Sequence, residues 1–100
     1  MNELKFPDKF LFGTAVASYQ VEGGIYNNDW TIWENKNNSV CVEPCNDACN
    51  HYELIDEDIN LLKTLGIKAF RFSIEWSRIE PTQGIFNDDE INHYVDKANK

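Results

Sequence analysis

The stretch Lys68 to Pro81, reading KAFRFSIEWSRIEP, constrains the fold of this chain more than any other. Phe70, Phe72 and Ile74 alternate with Ala69, Arg71 and Ser73, the period-two pattern of a β-strand whose two faces meet different surroundings. One face is apolar; the other is small and carries a cation. Leu61, Leu62 and Leu65 lie just upstream in a helical pattern and offer the apolar face a helix to pack against, which turns Arg71 the other way. In a barrel of parallel strands that other way is the interior, which is filled by side chains. A guanidinium keeps its proton there, and burying it unpaired costs several kcal/mol. A carboxylate from elsewhere in the fold is therefore expected opposite Arg71.

A second buried strand is expected upstream, where Phe10-Leu11-Phe12 runs into the small residues Gly13-Thr14-Ala15-Val16-Ala17 after a turn at Pro7-Asp8. Small residues let another segment approach closely. Ser18-Tyr19-Gln20-Val21-Glu22 then groups hydroxyl, amide and carboxylate functions before Gly23-Gly24 ends the pattern. Such a cluster at a strand end is either a solvated terminus or a hydrogen-bonding site for a ligand. The residues from Ile25 to Asn50 are polar and irregular and read as a long loop, a feature that is often functional in a compact domain. Trp30 and Trp33 within it either pack the loop onto the body or present a flat apolar face at a site entrance.

A helix is expected from about Asp47 to Leu65, with Tyr52, Ile55, Ile59 and Leu62 on one face, Asn46 or Asp47 as cap and Gly66 as stop. His51 and Asp58 on it read as a packing histidine and a solvated or ion-paired carboxylate. Trp76 and Arg78 follow the strand, and Pro81 to Gly84 turns the chain. Asn87-Asp88-Asp89-Glu90 then opens a second helix containing Ile91, Tyr94, Val95 and Ala98. Cys41, Cys45 and Cys49 recur every four residues near His51, but structural zinc sites need four ligands that converge tetrahedrally, and here three thiols run evenly into a helix start. Free, partly buried thiols are expected instead, with no metal and no cofactor.

Charge narrows the partners. Nine basic against seventeen acidic residues give a net charge of −8, which repels nucleic acid and anionic membrane surfaces. The N-terminal MNELKFPDKF lacks the pattern of a signal peptide, no apolar run approaches a membrane span, and three cysteines are an odd number. A soluble, cytoplasmic protein is the expectation.

The element order, strand, long loop, helix, strand, loop, helix, is that of an α/β fold with a parallel sheet. One hundred residues with 42% apolar composition suit a globular segment, yet two strands and two helices leave sheet edges open, and a (β/α)8 barrel takes about 250 residues. The chain reads as the first two β/α units of a (β/α)8 TIM barrel, incomplete by itself, with residues 1–100 forming the N-terminal part of a single barrel domain.

These blocks carry a resemblance. FLFGTAVASYQVEGG at 10–24 resembles the N-terminal signature of the family 1 β-glycosidases, and AFRFSIEWSRIEP at 69–81 resembles their second barrel strand and its exit. Asp29-Trp30-Thr31-Ile32-Trp33-Glu34, Ala48-Cys49-Asn50-His51-Tyr52 and Glu57-Asp58-Ile59 through Leu65-Gly66-Ile67 match between them in the same order. The resemblance implies retaining hydrolysis of β-linked glycosides in a complete enzyme, by two carboxyl groups about 5–5.5 Å apart. It places both catalytic glutamates on the fourth and seventh strands, outside these residues, and supports neither Glu22 nor Glu75 in that role. It carries over Gln20 as a ligand of the sugar hydroxyls, an amide being both donor and acceptor. It also carries over Arg71 as the contact of the nucleophile carboxylate, so the expected partner of Arg71 is that nucleophile. Glu22, Trp33, His51 and Trp76 match positions to which structural or loop-ordering roles are assigned. The implied partner is a carbohydrate, a β-glucoside or β-galactoside, and Gln20 suits glucose, galactose and fucose alike. The alternative is a non-catalytic truncated chain, at most a weak sugar-binding or interaction module lacking both catalytic glutamates.

Overall fold

The computed structural model describes residues 2–100. Two short strands, β1 (Gly13–Ala15) and β2 (Ala69–Arg71), pair in parallel with Gly13 opposite Ala69, Thr14 opposite Phe70 and Ala15 opposite Arg71. The close approach expected of the small residues is this pairing: a Cβ on Gly13 would stand 2.7 Å from the Ala69 carbonyl oxygen. The helices are α1 (Ser18–Val21), α2 (Asp29–Glu34), α3 (Ile55–Thr64), α4 (Trp76–Ile79) and α5 (Asp88–Asn99). The α/β class with a parallel pair is thus present as a two-stranded sheet.

Both strands are shorter than the sequence pattern suggests, and β1 is exposed where a buried strand was expected. Each strand has one hydrogen-bonded neighbour among the described residues, so pairing extends only as far as the other strand follows. The aromatic rings of Phe6, Phe10 and Phe12 cluster on one another, with centroids 4.7–4.9 Å apart.

The expected helix from Asp47 to Leu65 is corrected to α3, which starts at Ile55 after Leu54, and neither Asn46 nor Asp47 caps it. Asn46, Ala48 and Asn50 adopt left-handed conformations, with φ of 44°, 46° and 53°. The backbone there bonds elsewhere: the Gly24 N–H to Asn46 O, His51 N–H to Val21 O and Tyr52 N–H to Glu22 O. These tertiary bonds replace the helical ones and dock this segment against the end of α1 and the residues that follow it. At the other end Gly66 stops the helix as expected. Its φ of 76°, with Gly66 N–H to Lys63 O and Ile67 N–H to Leu62 O, makes a Schellman cap that a side chain at this φ would strain. The inward face of α3 is Ile55 and Ile59 with Leu62 half-buried; Leu61 and Leu65, expected to pack on β2, face solvent.

The second helix matches its sequence signal. Asn87 caps α5, its side-chain oxygen accepting from the Asp89 and Glu90 N–H groups, while Asp88, Asp89 and Glu90 complement the helix dipole. Tyr94 on its inner face is among the most buried residues.

Candidate functional site

Two turns of helix stand just beyond the C-terminal ends of the parallel strands: α1 begins three residues after β1, and α4 five residues after β2. The C-terminal ends of parallel strands are where barrel enzymes place their chemistry. Gln20 lies on α1 and is exposed; Arg71 is the last residue of β2 and is also exposed. Among the described residues Arg71 forms no ion pair, so the carboxylate expected opposite it is not supplied from within them.

The four residues of α1 are too few to hold a helix alone, and both of its ends are tied down. At the N-terminal end, the Ser18 N–H donates to Ser73 Oγ at 2.7 Å, and the Ser18 hydroxyl donates to Glu75 Oε2 at 3.0 Å. Glu75 is buried and accepts as well from the Ser77 hydroxyl at 2.8 Å and from Asn28 Nδ2 at 3.4 Å. At the C-terminal end, Glu22 is 1% exposed. Both its oxygens face the Tyr94 hydroxyl, at 2.5 and 2.8 Å, and Arg78 Nε stands 3.6 Å away. The Tyr94 oxygen in turn accepts from the Glu75 N–H at 3.2 Å. Burial, followed by donation to Glu22, pushes the Tyr94 phenol far above its ordinary range.

Arg78 donates from Nη2 to the Gly23 carbonyl at 2.8 Å and lies 3.9 Å over the Tyr52 ring. Tyr52 donates to Glu90 at 2.8 Å. Burial and that bond push its phenol up to about 12. Glu22 and Glu75 are both buried and engaged with protein donors.

The loop between β1 and α3 contains α2, a helix that the polar composition concealed. Asn28 caps it by accepting from the Thr31 N–H at 2.9 Å. Thr31 Oγ1 sits 3.1 Å from Tyr19 Oη and 3.0 Å from the Ile25 carbonyl. Tyr19 donates to Glu34, whose same oxygen accepts from the Cys45 N–H at 3.2 Å. Burial and the Glu34 carboxylate push the Tyr19 phenol up to about 12. Trp30 and Trp33 pack on each other at 4.9 Å, and Trp30 meets the Tyr19 ring edge-on at 6.5 Å, but Trp30 stays 51% exposed. The Trp30 contact with Tyr19 ties α2 to α1, and the rest of the Trp30 ring is open to solvent. Trp76 is exposed too and donates from its indole to Glu80 at 2.8 Å.

His51 is buried with Nδ1 2.6 Å from Asp58 Oδ2 and its ring edge-on to Phe70. This is a packed histidine whose ring nitrogen is hydrogen-bonded to a carboxylate. Cys41 and Cys45 are half-buried, Cys49 is exposed, and all three are unpaired. Burial, with the charge of Glu34, raises the Cys45 thiol above its ordinary value.

Over residues 2–100 the sequence matches the profile of Glycosyl hydrolase family 1. The chain belongs to glycosyl hydrolase family 1. The family 1 segment is 44% identical over 87 residues to β-glucosidase A of Thermotoga maritima, covering 81% of this chain and 20% of that one. To β-glucosidase A of Acetivibrio thermocellus it is 40% identical over 88 residues, covering 81% and 19%. A solved β-glycosidase from Pyrococcus horikoshii superimposes with a TM-score of 0.86 at 45% identity, covering 96% of this chain and 22% of that one. A β-glucosidase from Thermotoga maritima in complex with castanospermine superimposes at 0.84 with 36% identity, covering 95% and 23%. The chain thus spans about a fifth of the length of the family 1 proteins it matches.

Sequence reasoning missed the part that Tyr94 and Glu75 play. Tyr94 shows the helical period of a core residue, and nothing in that period reveals a hydroxyl meeting a carboxylate 72 residues away.

Proposed function

We propose that this segment forms the first two β/α units of a family 1 (β/α)8 barrel and serves the retaining hydrolysis of β-linked glycosides. Gln20 hydrogen-bonds hydroxyls of the sugar in the glycone subsite, and Arg71 holds the nucleophilic carboxylate ionised and oriented. The observation that carries this reading is the placement of Gln20 and Arg71, both exposed, at the same C-terminal end of a parallel strand pair in a family 1 chain. Arg71 ends its strand with a permanent charge and no anionic neighbour among the described residues, which is the environment that an incoming carboxylate would complete. The substrate is a β-glucoside or β-galactoside, and a cytoplasmic location is part of this reading because an odd number of closely spaced cysteines suits a reducing compartment.

The test is the full-length polypeptide assayed on p-nitrophenyl β-glucoside and β-galactoside. Turnover with retention is expected. Arg71→Met should lower kcat/KM by roughly 100-fold, the scale on which one preorganised electrostatic contact acts. Gln20→Ala should act chiefly on KM, by about tenfold, as loss of a binding hydrogen bond does. Unchanged kinetics in both variants would reject the assignments.

A second reading, a sugar-binding segment without turnover, is favoured by one observation: a rice relative named "Probable inactive beta-glucosidase 14" is 40% identical over 90 residues. Binding of castanospermine by full-length protein that hydrolyses neither glycoside would select it.

A further inference from the structure

Gln20 can serve a sugar only if α1 keeps its place, and the residues that keep it there lie elsewhere. The helix has four residues, less than the length at which helical hydrogen bonds sustain themselves. Its capping residue Ala17 has no side-chain group to offer. Its last carbonyls accept backbone bonds from His51 and Tyr52, and its side chains enter a buried relay between its two ends. Ser18 is bound to Ser73 and Glu75, Glu22 is bound to Tyr94, and the Tyr94 oxygen accepts from the Glu75 backbone. One phenolic hydroxyl on α5 therefore joins the start of α4 to the end of α1. Two carboxylates buried this deeply are costly unless their donors are in place. Removing the Tyr94 hydroxyl takes away the hydrogen-bond donor of buried Glu22, and α1 and α4, the two elements that the relay joins, are only four residues long each.

We propose that Glu22, Glu75 and the Tyr94 hydroxyl between them are positioning residues, which clamp both ends of α1 and so set the side-chain amide of Gln20 at the open ends of the strands. The inference rests on the glycone role given to Gln20 above. In this arrangement the two acidic residues near the strand ends act through Gln20 and do not touch the reacting atoms.

The experiment is a double-mutant cycle in the full-length polypeptide, with castanospermine affinity by calorimetry and kcat and KM on p-nitrophenyl β-glucoside as readouts. Tyr94→Phe should weaken castanospermine binding by about tenfold in the parent and by less than about twofold in a Gln20→Ala background, the coupling expected of groups acting as one unit. KM should rise more than kcat falls. Hydrogen exchange at the Gln20 and Glu22 amides, which bond to Ala17 and Ser18, should quicken in Tyr94→Phe while α3 amides keep their protection. Equal losses in both backgrounds, or no loss, would overturn the proposal. Ser18→Ala, which removes one donor to Glu75 from outside the core of α5, repeats the cycle if Tyr94→Phe does not fold. A parent that neither binds castanospermine nor turns over the glycoside would defeat the glycosidase reading. Exchange at α1 would then decide the clamp by itself, with unchanged protection overturning it.

Discussion

At the residue scale several polar groups are buried, Glu22, Glu75, Thr31 and Lys97 among them, and burial moves the titration of the tyrosines packed with them. Tyr19 and Tyr52 titrate at about 12 because burial and a carboxylate neighbour disfavour the phenolate. An unfolded tyrosine titrates near 10. A folded value raised above the unfolded one means stability that is fully present below about pH 10 and lost as pH climbs through the folded value. The full-length protein should lose stability between about pH 10 and 12, and Tyr52→Phe should make that loss shallower. Denaturant unfolding across this range checks the prediction; identical slopes for parent and variant would contradict it. Lys97 shows the opposite displacement. It is buried over the rings of Phe72 and Phe70, and burial lowers its value although Glu22 and Asp58 pull it back.

At the element scale the decisive contact is the narrow gap between β1 and β2. A methyl group on Gly13 would meet the Ala69 oxygen at 2.7 Å and the Ala69 Cβ at 2.9 Å, both fixed to the partner strand, so the strands would have to part. Gly13→Ala should cost about 1–3 kcal/mol, the usual range for overpacking, and lower the Tm of the full-length protein; an unchanged Tm would show that the strands yield freely. The same elements show how much the sequence discloses. The cap at Asn87 and the stop at Gly66 are legible because each depends on residues a few positions apart, and the parallel pairing of the strands follows from the helix that separates them in the chain. The start of α3 is not, since Asn46, Ala48 and Asn50 turn left-handed to reach the Val21–Gly24 backbone, a contact that no local pattern encodes. Polar composition hid α2, whose helix is held by Asn28 and by Thr31 reaching Tyr19. Gln20 and Arg71 were proposed from the family resemblance alone, whereas the hydrogen bonds that join Glu22, Glu75 and Tyr94 needed three-dimensional distances.

At the scale of the whole molecule these residues form an open body. The surface is 7905 Å², against about 5,800 Å² for a finished globular protein of this mass. The radius of gyration is 17.1 Å, against about 13 Å for a compact 100-residue domain. The difference shows as uncovered apolar surface, notably a groove lined by Phe72, Ile74, Trp76, Phe86, Ile91 and Val95. A peptide of residues 1–100 should therefore self-associate on size exclusion and hydrolyse no aryl β-glucoside. Monomeric elution, or turnover abolished by Glu22→Gln or Glu75→Gln, would refute this. Under the proposed function Arg71 faces the nucleophilic carboxylate, and the pH dependence of kcat/KM tests that most directly. Its acidic limb reports the ionisation of that group in the free enzyme, and an adjacent arginine lowers a carboxyl value by about 1–3 units. In the full-length protein, Arg71→Met should move the acidic limb upward by about one unit or more. A limb that stays in place while kcat/KM falls would show that Arg71 does not face the nucleophile.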